Sequence, residues 1–246
     1  MPQLLVPMRW ADLDVVNHVN NSRYAGYTAE ARAVLERDGD LPSGLPPGTV
    51  SIQFVAPLLL STAPVVVESR YADGVLEQEV RHDGPRGAGT LHARVTTTFT
   101  GGPPLGADTG DDADAPAWRH SEVHVRQRDI GPYGRPGQEQ LFEIYQESRV
   151  LFFGTRPPSM GDGSFVLVHI TAEAGAPLTW RGRTYPVRSR VASVGTRSFV
   201  VETEIVEDGT TYLRGRAVVV GFDVATETSR AITAPQREQI LAMNGD

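Results

Sequence analysis

One pattern of charged and apolar residues occurs twice in this chain, 117 positions apart and without a gap. The shift lays Arg9 on Arg126, Asp12 on Asp129, Leu13 on Ile130, Glu30 on Glu147 and Arg32 on Arg149. In the same register Tyr24, Tyr27, Ala31, Val34 and Leu35 fall on Leu141, Ile144, Ser148, Leu151 and Phe152, a spacing that draws one stripe along a helix. Two copies of one unit is the economical reading, and any fold for the chain has to be built twice. Between the copies, residues 101–117 (GGPPLGADTGDDADAPA) are too polar and too interrupted by glycine and proline to join a core. The expected organisation is a first unit over 1–100, a linker over 101–117, and a second unit over 118–246 with a C-terminal helix near Pro235–Met243.

Each copy runs in the same order: a strand, a loop, a helix of about four turns, then four strand-like runs rich in valine, threonine and aromatics. In the first copy the strands are expected near Leu4–Trp10, Val50–Phe54, Val65–Tyr71, Leu76–Arg81 and Thr90–Thr100. In the second they are expected near Ser121–Gln127, Phe165–Thr171, Thr184–Val191, Phe199–Val206 and Thr211–Asp223. An α+β unit follows, an antiparallel sheet wrapped around one long helix, because the helix stripe and the inner sheet face bury one another. The terminal helix is expected to pack outside.

Composition removes several chemistries. With 246 residues the chain is long enough to bury a core without staples, and it contains no cysteine, which excludes disulfides, thiolate metal ligands and a thiol nucleophile. It contains no lysine, so a P-loop and Schiff-base chemistry are also excluded. A net charge of −7 argues against a nucleic-acid partner. No apolar run approaches the roughly 20 residues of a membrane helix, and the chain is expected in the cytoplasm. His120 and His124 on a strand would stand about 13 Å apart, too far to share a metal. No G-x-S-x-G serine signal is present.

The segment MRWADLDVVNHVNNSRYAGYTAEAR, residues 8–32, carries the chemistry. Asn20, Asn21 and Ser22 are helix-capping residues, so a helix is expected to begin close to Asn21, with Asp12 and Asp14 just before it. A helix start offers unpaired N–H groups and partial positive charge, which suit an ionised carboxylate and can polarise a carbonyl oxygen. DLDVVNHVNNSRY followed by EAR resembles the hotdog-fold thioesterases of the 4-hydroxybenzoyl-CoA thioesterase type, and is also similar to plant acyl-acyl-carrier-protein (acyl-ACP) thioesterases. That resemblance implies a double hotdog, hydrolysis of acyl-CoA or acyl-ACP thioesters without a cofactor or metal, and Asp14 as the catalytic carboxylate. It also implies the backbone N–H of Asn21 or Asn20 as the carbonyl-polarising donor.

His18 joins this candidate set, and Asn17 and Tyr24 are candidates for substrate contact. Two departures stand out. The plant enzymes carry asparagine where this chain has Val16, and the second copy has Gly131 in place of Asp14, which would leave it silent. Asp12, whose match Asp129 persists in that copy, reads as structural, with an arginine such as Arg9 as partner. Arg181, Arg183, Arg188 and Arg190 are candidate contacts for coenzyme A phosphates, against the plainer reading of a solvated strand face. Leu58, Leu59 and Leu60 could line an acyl tunnel or simply form an ordinary edge or core segment. The two units are expected to pair within the chain, and their sheet edges leave room for a homodimer. The alternative function is a non-catalytic acyl-thioester binding protein.

Overall fold

The structure is a computed structural model that describes residues 2–14, 17–84, 86–99, 116–131, 134–154, 165–223, 226 and 228–244. Apart from Pro116 and Ala117, the expected linker lies outside them. The chain divides into two compact units, Met1–Pro103 with Gly137–Phe142, and Pro104–Pro136 with Glu143–Asp246. The short stretch Gly137–Phe142 therefore groups with the first unit, where the sequence placed it in the second.

In the first unit β1 (Gln3–Val6), β2 (Pro47–Phe54), β3 (Val65–Ala72), β4 (Val75–Gly84) and β5 (Gly87–Phe99) form an antiparallel sheet in the order β1-β3-β4-β5-β2. Helix α1 (Asn21–Asp38) packs on β1, β3, β4 and β5. Its buried face includes Tyr24, Ala25, Tyr27, Thr28, Ala31 and Leu35, the predicted stripe with small residues added and without Val34, which is only half-buried. It stops at Gly39, whose φ of 84° is the left-handed C-terminal cap a glycine adopts without strain.

In the second unit β6 (Arg119–Val123), β7 (Phe165–Ala174), β8 (Tyr185–Val194), β9 (Ser198–Glu207) and β10 (Thr210–Asp223) repeat the order as β6-β8-β9-β10-β7, with the two-residue β11 (Thr228–Ser229) on β10. Helix α2 (Gln138–Phe153) buries Ile144, Tyr145, Ser148 and Phe152 in this unit, while Leu151, expected in the stripe, is 40% exposed. Helix α3 (Ala234–Leu241) is not an outer appendage. Ile240 is fully buried with Phe152, Phe199 and Val201, and Asn244 donates to the carbonyl of Val191 and accepts from its N–H at 2.9 and 2.7 Å, closing the bulged edge of β8.

Two expected strands are shorter than predicted, in the same way. β1 ends at Val6 before Pro7, and Trp10–Asp12 is a 3-10 turn; β6 ends at Val123, and Gln127–Asp129 is a 3-10 turn. Both turns close on a buried aspartate. Asp12 accepts the Arg9 N–H at 2.7 Å and Asp129 accepts the Arg126 N–H at 2.8 Å.

Candidate functional site

Asp14 sits at the base of a five-residue loop clasped by its own backbone. Its N–H donates to the carbonyl of His18 at 2.7 Å, its carbonyl accepts from Asn17 N–H at 3.2 Å, and its Oδ1 accepts from His18 N–H at 3.0 Å. Asn17 takes φ 61°, a left-handed position that asparagine tolerates better than most residues. Leu13 bridges Val19 below the loop. Val15 and Val16 lie outside the described residues.

The second unit builds the same loop without the carboxylate. Gly131 N–H donates to the Arg135 carbonyl at 2.9 Å, Gly134 N–H donates to the Gly131 carbonyl at 3.1 Å, Gly134 has φ 71°, and Ile130 bridges Pro136. Under the 117-residue shift these are the bonds of Asp14, Asn17 and Leu13, one for one. The loop therefore does not need an acid at its first position in order to form.

Helix α1 starts where the sequence placed it. Asn20 is the N-cap, its Oδ1 accepting from the Ser22 N–H at 3.0 Å. Of the two N–H donors proposed to polarise a carbonyl, Asn20 is already engaged, donating to the Asp12 carbonyl at 2.7 Å. The expectation for Asn20 is corrected by this bond. The Asn21 N–H, an unmatched donor of the first helical turn, has no partner among the described residues.

Asp12 bonds Arg9, as expected, but through the arginine's backbone N–H rather than its side chain, and it has further partners. Its Oδ2 accepts from the Arg9 backbone and from the Tyr27 hydroxyl at 2.8 Å, while the Arg23 guanidinium stands 4.0 Å from Oδ1. Burial, and then the hydrogen bond to Asp12, push the Tyr27 hydroxyl above its ordinary range. Asp12→Ala strips the acceptor from a part-buried N–H and a buried hydroxyl, so a loss of about 2 kcal/mol or more is expected in urea unfolding, with Asp12→Asn costing less. Arg23 also pairs with Glu139, whose carboxylate lies against Gly26 within the first unit.

Tyr24 is a core residue rather than a substrate contact. It is 2% exposed, packs edge-on against Phe54 at 5.2 Å, and is raised by burial, with Asp14 close enough to add to the shift. Asn17 is exposed and His18 half-buried. Leu58 is core and its carbonyl accepts the Val19 N–H at 2.8 Å; Leu59 bridges His18 and is 41% exposed.

The four arginines are spoken for. Arg181 and Arg183 lie in the turn before β8, and both pair with Glu207; Arg188 pairs with Glu204 and Arg190 with Glu202. Arg188 and Arg190 also stack over Trp118 at 4.7 and 4.3 Å. A phosphate would have to displace these carboxylates, so the coenzyme A expectation for them is not supported. No group of three or more histidine, aspartate or glutamate side chains able to hold a metal occurs among the described residues. No helix among them is long and apolar enough to cross a membrane.

The sequence reading missed His82 and His92. Both are buried, 3% and 4% exposed, with ring centroids 6.1 Å apart. Their signal was present: His82 continues the inward positions Leu76, Gln78 and Val80 of an alternating strand, so a titratable group on a core face was readable. His92 is placed by a bulge, since Val80 pairs with Ala93 and Arg81 with Leu91. Burial lowers its pKa from the usual value, and the nearby His82 and Arg86 act in the same direction against hydrogen bonds to Ala56 and Pro57. A histidine lowered in the folded state is protonated first in the unfolded chain. Its stability contribution is therefore present above about pH 6.5 and lost as pH falls below it. The urea midpoint is expected to drop on acidification through that window, and less steeply in His92→Gln.

Residues 3–37 match the acyl-ACP thioesterase C-terminal domain family. Comparison with curated protein sequences gives no match. Among solved structures, the chain is similar to a putative oleoyl thioesterase from Lactobacillus plantarum, with 12% identity, 90% of this chain and 96% of that one covered, and a TM-score of 0.65. It is also similar to the 12:0-ACP thioesterase from Umbellularia californica, with 12% identity, 89% and 93% coverage and a TM-score of 0.60. The chain has the hotdog fold. An acyl-ACP thioesterase from Bacteroides thetaiotaomicron aligns with this hotdog protein over 89% of its length and 96% of the other chain, at 10% identity and a TM-score of 0.56. The family match falls on the stretch holding Asp14, His18, Asn20 and Asn21, and does not reach the second loop at Gly131.

Proposed function

We propose that this protein hydrolyses acyl thioesters, of coenzyme A or of an acyl carrier protein, with Asp14 as the acting carboxylate. The observation that carries the reading is the pair of loops. The same backbone hydrogen bonds form around Gly131 as around Asp14, so the acid is dispensable for the turn and its presence in one copy calls for a chemical reason. The family match over residues 3–37 supports the same assignment, and so does the fold.

In this reading the thioester carbonyl rests against the start of α1, where the Asn21 N–H and the helix dipole stabilise the growing oxyanion. Asp14 either attacks the carbonyl carbon or takes a proton from the attacking water; the thiolate leaves and is protonated, and water supplies the second acid oxygen. His18 positions Asp14 through its backbone N–H. The two units act as a tandem pair of hotdogs, the second without a carboxylate of its own, in a cytoplasmic protein that needs no cofactor. Thiol release from a panel of acyl-CoA and acyl-ACP thioesters tests the proposal. Turnover that vanishes in Asp14→Asn supports it; binding of acyl thioesters without turnover would instead support the non-catalytic reading.

A further inference from the structure

Beside the Asp14 loop the first unit holds a small open depression, lined by Pro57, Leu59, His82, Gly84, Arg86, Thr90 and His92. Its polar wall is unusual for so small a hollow. His82 is 3% exposed, and its Nε2 is buried without a hydrogen-bond partner. A Cβ on Gly84 would stand 2.8 Å from His82 Nδ1, so only glycine leaves this ring its place. Across from it, His92 Nδ1 lies 3.2 Å from the Ala56 carbonyl, holding that ring in a fixed orientation. Arg86, exposed on the turn between β4 and β5, brings a full positive charge to the rim, and Thr90 brings a hydroxyl.

The depression is also coupled to the loop. The His92 carbonyl accepts from the N–H groups of Val55 and Ala56 at 2.8 and 3.3 Å, which fixes the strand leading to Leu58 and Leu59. Leu58 then bonds Val19, and Leu59, a lining residue, bridges His18, whose N–H holds Asp14. One continuous run of backbone thus joins the bulge that aims His92 to the loop that aims Asp14.

A buried imidazole nitrogen lacking a partner is costly unless something arrives to bond it. The unpartnered His82 imidazole, a guanidinium and a hydroxyl around one small volume are a donor set for oxygen atoms carrying negative charge, with His92 as a wall of the hollow. We propose that this depression is a recognition subsite for a small oxyanion, a carboxylate or a phosphate, carried by the thioester on which Asp14 acts. The subsite rests on the hydrolase reading for its role, but not for its binding chemistry. The oxyanion is either a carboxylate at the far end of the acyl chain or a phosphate of the thiol carrier.

The binding test uses no thioester. Ring signals of His82 and His92 are followed by NMR as inorganic phosphate, and separately acetate, is added to the full chain. Saturable shifts are expected, with affinity about tenfold weaker in Arg86→Gln, a change on an exposed turn that spares the core. Rings that do not respond to either anion, or respond equally in Arg86→Gln, overturn the subsite. The source is then separated with N-acetylcysteamine thioesters, which carry no phosphate. A KM for the adipoyl thioester lower than for the hexanoyl one, with the difference lost in Arg86→Gln, assigns the acyl-end carboxylate. A preference for hexanoyl-CoA over hexanoyl-N-acetylcysteamine, lost in the same variant, assigns the phosphate. Neither preference being present, in an enzyme that releases thiol, overturns a role in substrate recognition. Histidine shifts without thiol release from any substrate would remove the hydrolase reading and leave the anion site standing.

Discussion

Asp14→Asn is expected to lower kcat for thiol release by about 10²–10⁴-fold while leaving KM and the unfolding midpoint nearly unchanged. The substitution keeps an oxygen at Oδ1, so the N–H of His18, now 3.0 Å from that atom, retains its acceptor. The backbone bonds of the loop do not involve the carboxylate, and Gly131 shows that they close with no side chain at all. What the amide cannot do is attack a carbonyl or hold a proton taken from water. A matching loss of stability would mean that the carboxylate serves the loop, and would return Asp14 to the structural role that Asp12 plays. A unchanged kcat would place the chemistry elsewhere in the molecule. Kinetics on the best acyl thioester, with urea unfolding in parallel, separate these outcomes.

How far the sequence carried this structure depends on how local each determinant is. Helix α1 was legible because its cap at Asn20, its stripe and its terminal Gly39 are all written within the helix itself. The two 3-10 turns were not. Their strands looked continuous to Trp10 and Gln127, where the buried carboxylates of Asp12 and Asp129, folding back on the N–H groups of Arg9 and Arg126, close turns instead. A bond between an aspartate and the backbone three residues earlier leaves no periodic trace. The arginines of the second unit were misread for a related reason. Arg188 and Arg190 alternate like a solvated or anion-binding face, but their partners Glu204 and Glu202 are neighbours only through strand pairing between β8 and β9. Asn20 could not be eliminated as a donor without knowing that Asp12's carbonyl lies 2.7 Å away. His92 was hidden by a one-residue bulge, which turns a side chain to a face that alternation assigns to its neighbour.

The repeat itself supplies the second large effect. Thr28 of α1 corresponds to Tyr145 of α2, and the sheet residue beneath changes in compensation. Ser69 pairs with Gln78, which pairs with Val95, while Ser189 pairs with Thr203, which pairs with Gly215. The second unit thus sets a fully buried tyrosine against a glycine, where the first has a threonine on the helix and a valine at the matching sheet position. The fit leaves no slack, since a Cβ on Gly215 would stand within 2.8 Å of three Tyr145 ring atoms. The tyrosine cannot swing away, being fully buried with Phe142 and Phe152 on the same helix. Gly215→Ala is expected to destabilise the second unit by about 1–3 kcal/mol, the usual cost of forcing extra atoms into a filled core. Tyr145→Thr alone should cost at least as much through the void it leaves. Together with Gly215→Val it restores the pairing of the first unit, and the double variant is expected to be more stable than the sum of the two single losses by about 1 kcal/mol or more. Urea unfolding of the four proteins measures that coupling. Strict additivity would show that the glycine is there for backbone reasons, and that the swap of bulk between helix and sheet is incidental to how the two copies diverged.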